Sequence, residues 1–571
     1  MSIMQATPDL ATRDAVARLA ELCPLFTAAA SREKQQLLEL LAGRRIRAAY
    51  LLRQLHGSLC YLCAFPDNGA IYRAARLALT AFAERVQALS DSQLALLEDS
   101  GIAGTRIRYP FAYANVAWLV GQFTEHVEID WNSTESTEKL DTLLQLLASP
   151  AEQPVFEEQA LAADDYLRLA RDSHNTSELQ RFFGLCDVRP QTEKFIETLY
   201  DPPAVQVIWN LKDCRGSRTH NYLPARRIFY RKGGMRRPGK RPEHDIIRPM
   251  AVTHLSRREG AMLLDVAKAA LLVRSREVYH FQYGSPDAVY LASAGRGIQI
   301  AFFGALPERR FNLDVSFGYM VFANGMPVAY GGISPLFNQG NTGLNVLDEY
   351  RRGESAFLYS QVLRMGHSLF GCRRFIVNPY QFGEDNAEAL RSGAFWFYYR
   401  LGFRPVDEHV RTLAEREFTR LATRRGRRSP LALLKQLASC DMHLLLPGGG
   451  KTAVFEECWL STLALGAAKL IACQGLRHRQ AVSAIARDIA TRLNIRNTGS
   501  WNAGEREQLR RLAPVFGLIP DLDRWSRAEK RALAAIIRAK AAPSERQYAR
   551  LMARHSRLQS SLRRYCKISC K

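Results

Sequence analysis

The densest run of chemically capable residues lies between Leu347 and Ala356, where the chain reads Leu-Asp-Glu-Tyr-Arg-Arg-Gly-Glu-Ser-Ala. Arg351 and Arg352 supply positive charge, and Gly353 lets backbone approach a ligand closely. Apolar residues at Phe357, Leu358, Val362, Leu363, Met365, Leu369 and Phe370 predict a helix directly afterwards. The first amides of a helix have no acceptor inside it and point at whatever precedes it. Strand, glycine turn and helix start therefore form an anion cradle, with the Gly353, Glu354, Ser355 and Ala356 amides and the two arginines as donors. Asp348 and Glu349 at the strand end can take up a proton; either of them, like Glu354, can instead pair with the arginines.

The elements that must position the cradle read as a small sheet with helices. Phe317–Ala323 and Met326–Phe337 are expected as strands joined by Asn324-Gly325, a pair that supplies the two positive φ angles of a type I′ hairpin. Gly343–Leu347 is expected as the strand leading into the cradle and Arg374–Pro379 as the next one. A further helix ends in Tyr398-Tyr399-Arg400-Leu401-Gly402-Phe403-Arg404-Pro405. Upstream, Ser256–Val273 reads as an amphipathic helix with a capping box of Ser256 and Glu259. Ala288–Ser293 and Gly297–Phe303 read as a second hairpin around Gly295-Arg296-Gly297.

Two stretches carry a resemblance. "EYRRGESAFLYSQVL" (349–363) is similar to the acyl-CoA pyrophosphate loop and helix of the GNAT superfamily of N-acetyltransferases. "SGAFWFYYRLGFRP" (392–405) is similar to that family's later signature, through Ala394, Tyr398, Gly402 and Phe403. Tyr350 stands where the family usually has Gln or Arg, Ser355 where it has glycine or alanine, and Gln381–Arg391 lengthens the entry to the second helix. The resemblance implies a mixed α/β domain at 251–410 with a mostly antiparallel sheet and helices. It implies an acyltransferase moving an acyl group from acyl-CoA, acetyl-CoA foremost, to an amine, without a metal. Leu347, Arg351, Arg352, Gly353, Glu354, Ser355, Ala356 and Ser392 would then hold the donor, with a backbone amide near Leu347 facing the thioester oxygen. Tyr398 would protonate the departing thiolate and Glu349 would serve as base. Ser392 has a second reading as a helix cap. A FemABX-like enzyme shares the fold and uses aminoacyl-tRNA; an acyl-carrier-dependent transferase and a non-catalytic scaffold binding nucleic acid or another polyanion also remain open.

Composition bounds the rest. The chain has 571 residues, too many for one core. Its 47% hydrophobic content is that of a packed globular protein rather than a disordered one. A formal charge of +23 favours acidic partners: tRNA, an acyl carrier protein, phosphorylated cofactors or another polyanion. Residues 1–200 are expected as a helical N-terminal domain and 431–571 as a basic helical C-terminal one, both all-α. Residues 201–250 are expected as a basic connecting segment, in which Phe229 and Tyr230 interleave with arginines as either a phosphate-binding arm or a solvated linker. His244-Asp245 lacks further ligands at metal spacing, and "LLLPGGGKT" (444–452) lacks the first glycine of a P-loop. The eleven cysteines, Cys60 and Cys63 among them, read as free thiols of a reducing compartment, with Cys566 and Cys570 at a frayed end. No stretch reads as a membrane span, and a cytoplasmic location is expected.

Overall fold

In a computed structural model the described residues are 7–174, 177–186, 190–201, 205–212, 214–239, 241–423, 428–449 and 454–569. Residues 450–452 of the glycine-rich stretch, Cys570 and residues 424–427 of the 423–430 linker lie outside them. The chain divides into two compact units. The first comprises Met1–Gly234, Leu263–Tyr283 and Phe322–Pro327; the second comprises Met235–Met262, Gly284–Val321 and Val328–Lys571.

The first unit is mainly helical, yet it contains a three-stranded antiparallel sheet of β1 (Arg106–Tyr109), β2 (Val127–Ile129) and β3 (Val207–Asn210), with β3 central. The all-helical reading of 1–200 therefore fails at β1 and β2. Their residues alternate inward and outward, and Ile107, Val127 and Ile129 are buried in one cluster with Trp209 of β3. β3 itself falls within 201–250, the stretch expected as a basic connecting segment. A buried ion pair joins Lys34 to Asp67 at 2.8 Å, and the ammonium also donates to the Cys23 and Leu25 carbonyls. Cys60 and Cys63 are buried, and burial pushes the Cys63 thiol up to about 12, which leaves it unreactive.

The second unit is built on an open, mostly antiparallel sheet, whose hairpin tip Phe322–Pro327 is counted with the first unit. Its strands are β4 (Val252–His254), β5 (Gly284–Gly295), β6 (Ile298–Ala305), β7 (Phe317–Ala323), β8 (Met326–Leu336), β9 (Gln339–Thr342), β10 (Asn345–Val346), β11 (Arg374–Val377), β12 (Arg404–Pro405) and β13 (Met442–Leu445). They lie side by side in the order β12-β13-β11-β9-β8-β7-β6-β5-β4, with β10 on β8. β7 is buried at every residue, as is most of β8, which fits a sheet covered on both faces. The turn Asn324-Gly325 has φ of 47° and 85°, the two positive angles its sequence calls for. The helix Arg257–Leu272 carries the expected box, Ser256 N–H to Glu259 Oε2 at 3.0 Å and Glu259 N–H to Ser256 Oγ at 3.4 Å.

Three expectations change. The strand leading to the cradle begins at Gln339, after a positive-φ residue at Phe337, and is interrupted at Gly343-Leu344. β13, from a stretch expected to be helical, lies between β11 and β12. Cys566 is not frayed: it is fully buried in the helix Ser556–Ser569, its thiol 3.8 Å from the Trp459 carbonyl.

Candidate active site

β9 and β11 are parallel neighbours, paired from Gln339–Arg374 to Asn341–Ile376, and the helix Ser355–Phe370 makes the connection between them. Past Asn341 they part. The chain leaving β9 stays with β8, resuming at Asn345–Tyr330 as β10, while β11 keeps its pairing with β13 through Val377–Met442. Two residues separate Thr342 from Asn345, and two separate Tyr330 from Ile333 opposite. The interruption at Gly343-Leu344 is thus a gap in the ladder rather than an inserted residue.

Side chains from three directions converge on this gap. The Tyr319 hydroxyl of β7 donates to the Gly343 carbonyl. The Leu344 amide donates to the Tyr398 hydroxyl at 3.4 Å. The Gln381 side chain lies so close to Gly343 that a Cβ there would collide with it. Tyr359 completes the group, its ring edge-on to Tyr398 at 5.7 Å between centroids. Burial drives the Tyr319, Tyr359 and Tyr398 phenols well above their ordinary range, so each keeps its proton at any physiological pH. Tyr398 can therefore donate a proton but cannot act as a base. Its neighbour Tyr399 faces away, against Phe418 and under the Arg404 guanidinium.

At the cradle, Asp348–Tyr350 forms one 3-10 turn before the helix begins at Ser355. Arg351 and Arg352 are exposed, and Gly353, Ser355 and Ala356 are half-buried. Arg351 pairs with Asp348 at 2.7 Å and with Glu388 at 2.5 Å. Glu349 is half-buried beside them. The Glu354 carboxylate turns inward: it accepts from the Arg236 amide at 2.6 Å and lies 3.5 Å from the Arg296 guanidinium. The Arg236 guanidinium stacks over Phe357 at 4.6 Å. The arginine-rich segment thus touches the cradle directly, and an internal carboxylate sits near the positive end of the helix dipole.

Two expected roles find different residues. The Leu347 amide donates to the Val328 carbonyl at 3.0 Å and is committed to the sheet; the amide facing the gap belongs to Leu344. Ser392 donates to the Ala389 carbonyl at 2.9 Å, and the cap of its helix is Asn386, which accepts from the Ala389 amide. Sequence reasoning passed over Leu344, Gln381 and Tyr319. The pair Gly331-Gly332 opposite the gap was the available signal: a Cβ on Gly331 would collide with the Gly343 carbonyl and the Tyr319 hydroxyl. Among the described residues no cluster of His, Cys, Asp and Glu could hold a metal ion, and no helix is long and apolar enough to cross a membrane. Comparison with protein-family models, with curated proteins and with solved structures finds no match to this chain.

Proposed function

We propose that the second unit is a GNAT-like N-acyltransferase that passes an acyl group, acetyl foremost, from acyl-CoA to an amine. One observation carries the reading. A parallel strand pair, connected through a helix that starts at a glycine turn, parts at Gly343-Leu344, and a tyrosine of the following helix reaches the parted segment. In this reading an extended thioester arm would enter between the strands, displacing the side chains that meet there, while the helix start holds its diphosphate. The Ser355 and Ala356 amides and Arg352 would contact the phosphates. The Leu344 amide would donate to the thioester oxygen as the amine nitrogen attacks the carbonyl carbon. The carbon–sulfur bond then breaks, the thiolate takes the Tyr398 proton, and the proton of the attacking amine passes to Glu349 or to water. At 3.4 Å the Leu344–Tyr398 hydrogen bond is long enough for both partners to turn to a third group.

A second reading, a non-catalytic scaffold for a polyanion, draws support from the buried Glu354 carboxylate and from the pairing of Arg351 with two acids. A FemABX-like donor, aminoacyl-tRNA, is favoured by the +23 charge. Calorimetry with acetyl-CoA, a longer acyl-CoA and bulk tRNA separates the three. The transferase reading expects acetyl-CoA to bind, Gly353→Glu to weaken it about 100-fold or more by filling the cradle, and Tyr398→Phe to leave it unchanged. Tyr398→Phe would slow CoA release at least ~100-fold. Heat from tRNA alone, lost steeply with added salt, would overturn it.

A further inference from the structure

We propose that the cavity at the C-terminal end of the Ser355–Phe370 helix binds a small phosphate monoester carrying an apolar body. The cavity measures about 480 Å³, within the range of small-molecule sites. Arg373, Arg550 and Arg554 line it, and no carboxylate does. Among the described residues none of these three guanidinium groups has an acidic partner within salt-bridge distance. Arg373 donates only weakly to the backbone, to the Pro447 carbonyl at 3.3 Å.

Three cations share one hollow, Arg373 and Arg554 exposed and Arg550 half-buried, with no carboxylate among the lining residues. Arg550 and Arg554 lie four residues apart in the helix Arg546–Arg554, so they share a face and repel one another. The dipole of that helix accounts for Arg554 in its last turn. It does not account for Arg373, which reaches the hollow from the start of a different element, beside β11. The other wall sets apolar Ile247 and Pro249 beside Asn338, His367 and Ser368, with Met250 and Phe370 buried. A dianionic phosphate answers the arginines through paired N–H donors, and a ring or sugar attached to it packs on Ile247 and Pro249. The cradle lies at the opposite end of the same 16-residue helix, about 24 Å away at 1.5 Å per residue. The site is therefore separate from the proposed donor site and stands whether or not the transferase reading does.

Calorimetry on the full chain with AMP as probe tests this, with adenosine and inorganic phosphate as its two halves. AMP is expected to bind at one site per chain, and each half at least ~10-fold more weakly. The double variant Arg550→Gln/Arg554→Gln is expected to weaken AMP at least ~10-fold, while Arg524→Gln/Arg527→Gln, an equal loss of charge on exposed residues elsewhere, leaves it unchanged. If the first pair of changes unfolds the chain, Ala553→Trp fills the hollow and should abolish binding. Undiminished AMP binding in the double variant or in Ala553→Trp would overturn the proposal. So would equal loss in the control pair, or no AMP heat up to about 10 mM. A response confined to tRNA would point instead to a polyanion surface and would also overturn it.

Discussion

Burial sets the protonation of His280, and that has a measurable consequence. Its ordinary value is 6.5, and burial pushes it down to about 4. Between these values the unfolded chain holds a proton that the folded one refuses. Stability present at neutral pH is therefore lost as pH falls from 6.5 towards about 4, at up to ~1.4 kcal/mol per pH unit. His443 acts in the same sense, lowered to about 4 by burial and by the nearby Arg374 and Arg411. Asp441, next to β13, opposes it: burial raises the carboxyl to about 6, so the folded chain gains a proton there first and acid favours folding. His280→Gln should flatten the acid limb of a urea-unfolding profile between pH 6 and 4.5. An unchanged slope would show that His280 titrates normally. Little of this was legible beforehand, because a histidine's burial depends on partners distant in sequence, whereas Tyr398 was marked by its spacing from Gly402 and Phe403.

At the scale of elements, legibility followed locality. The Asn324-Gly325 hairpin, the Ser256–Glu259 box and the helix after Gly353 are each specified by residues a few positions apart, and each is found where expected. The gap at Gly343-Leu344 and the strand at Met442–Leu445 depend on Tyr319, Gln381, Tyr398 and β11, none of them adjacent in the chain. A strand of two to four residues also carries too little periodicity to distinguish it from the helices around it. Gly325 and Gly331, like Gly343, are required by their surroundings. Gly325 sits at φ 85°, and Gly331 lies under the gap against backbone and a phenol. Gly331→Ala should destabilise the second unit by about 1–3 kcal/mol, as over-packing does, and shift the tryptophan-detected urea midpoint accordingly. A midpoint within error of the parent's would mean that β8 and the parted segment can move apart freely, and the tight gap would have to be abandoned.

The second unit as a whole is held by a buried charge cluster that ties its last helices to its sheet. Arg310, just after β6, donates to the carbonyls of Lys540, Ala542 and Pro543 at 2.8, 2.7 and 2.6 Å. Lys540 pairs with Glu545 at 2.6 Å and donates to the Asp314 carbonyl, and Tyr548 donates to the Leu313 carbonyl. Arg310, Lys540, Glu545 and Tyr548 are buried and each has a polar partner, the condition under which interior charge is tolerable. A chain ended at Thr423 would lose β13 and the Lys540, Ala542 and Pro543 acceptors of Arg310, keeping only the Ala305 carbonyl at 3.4 Å. It should show β11 amides exchanging hydrogen at least ~100-fold faster than in the full chain. Protection equal to the parent's would mean that 431–571 is a separable domain after all. The placement of β13 also bears on how the protein is made. While the ribosome adds the roughly 65 residues that separate Val377 from Met442, a matter of several seconds at ordinary rates, the edge of β11 waits without its partner. For that interval the nascent polypeptide offers a bare apolar edge, Phe375-Ile376-Val377, to any other exposed strand, so crowded polysomes and slow codons in this stretch are where its yield would be decided.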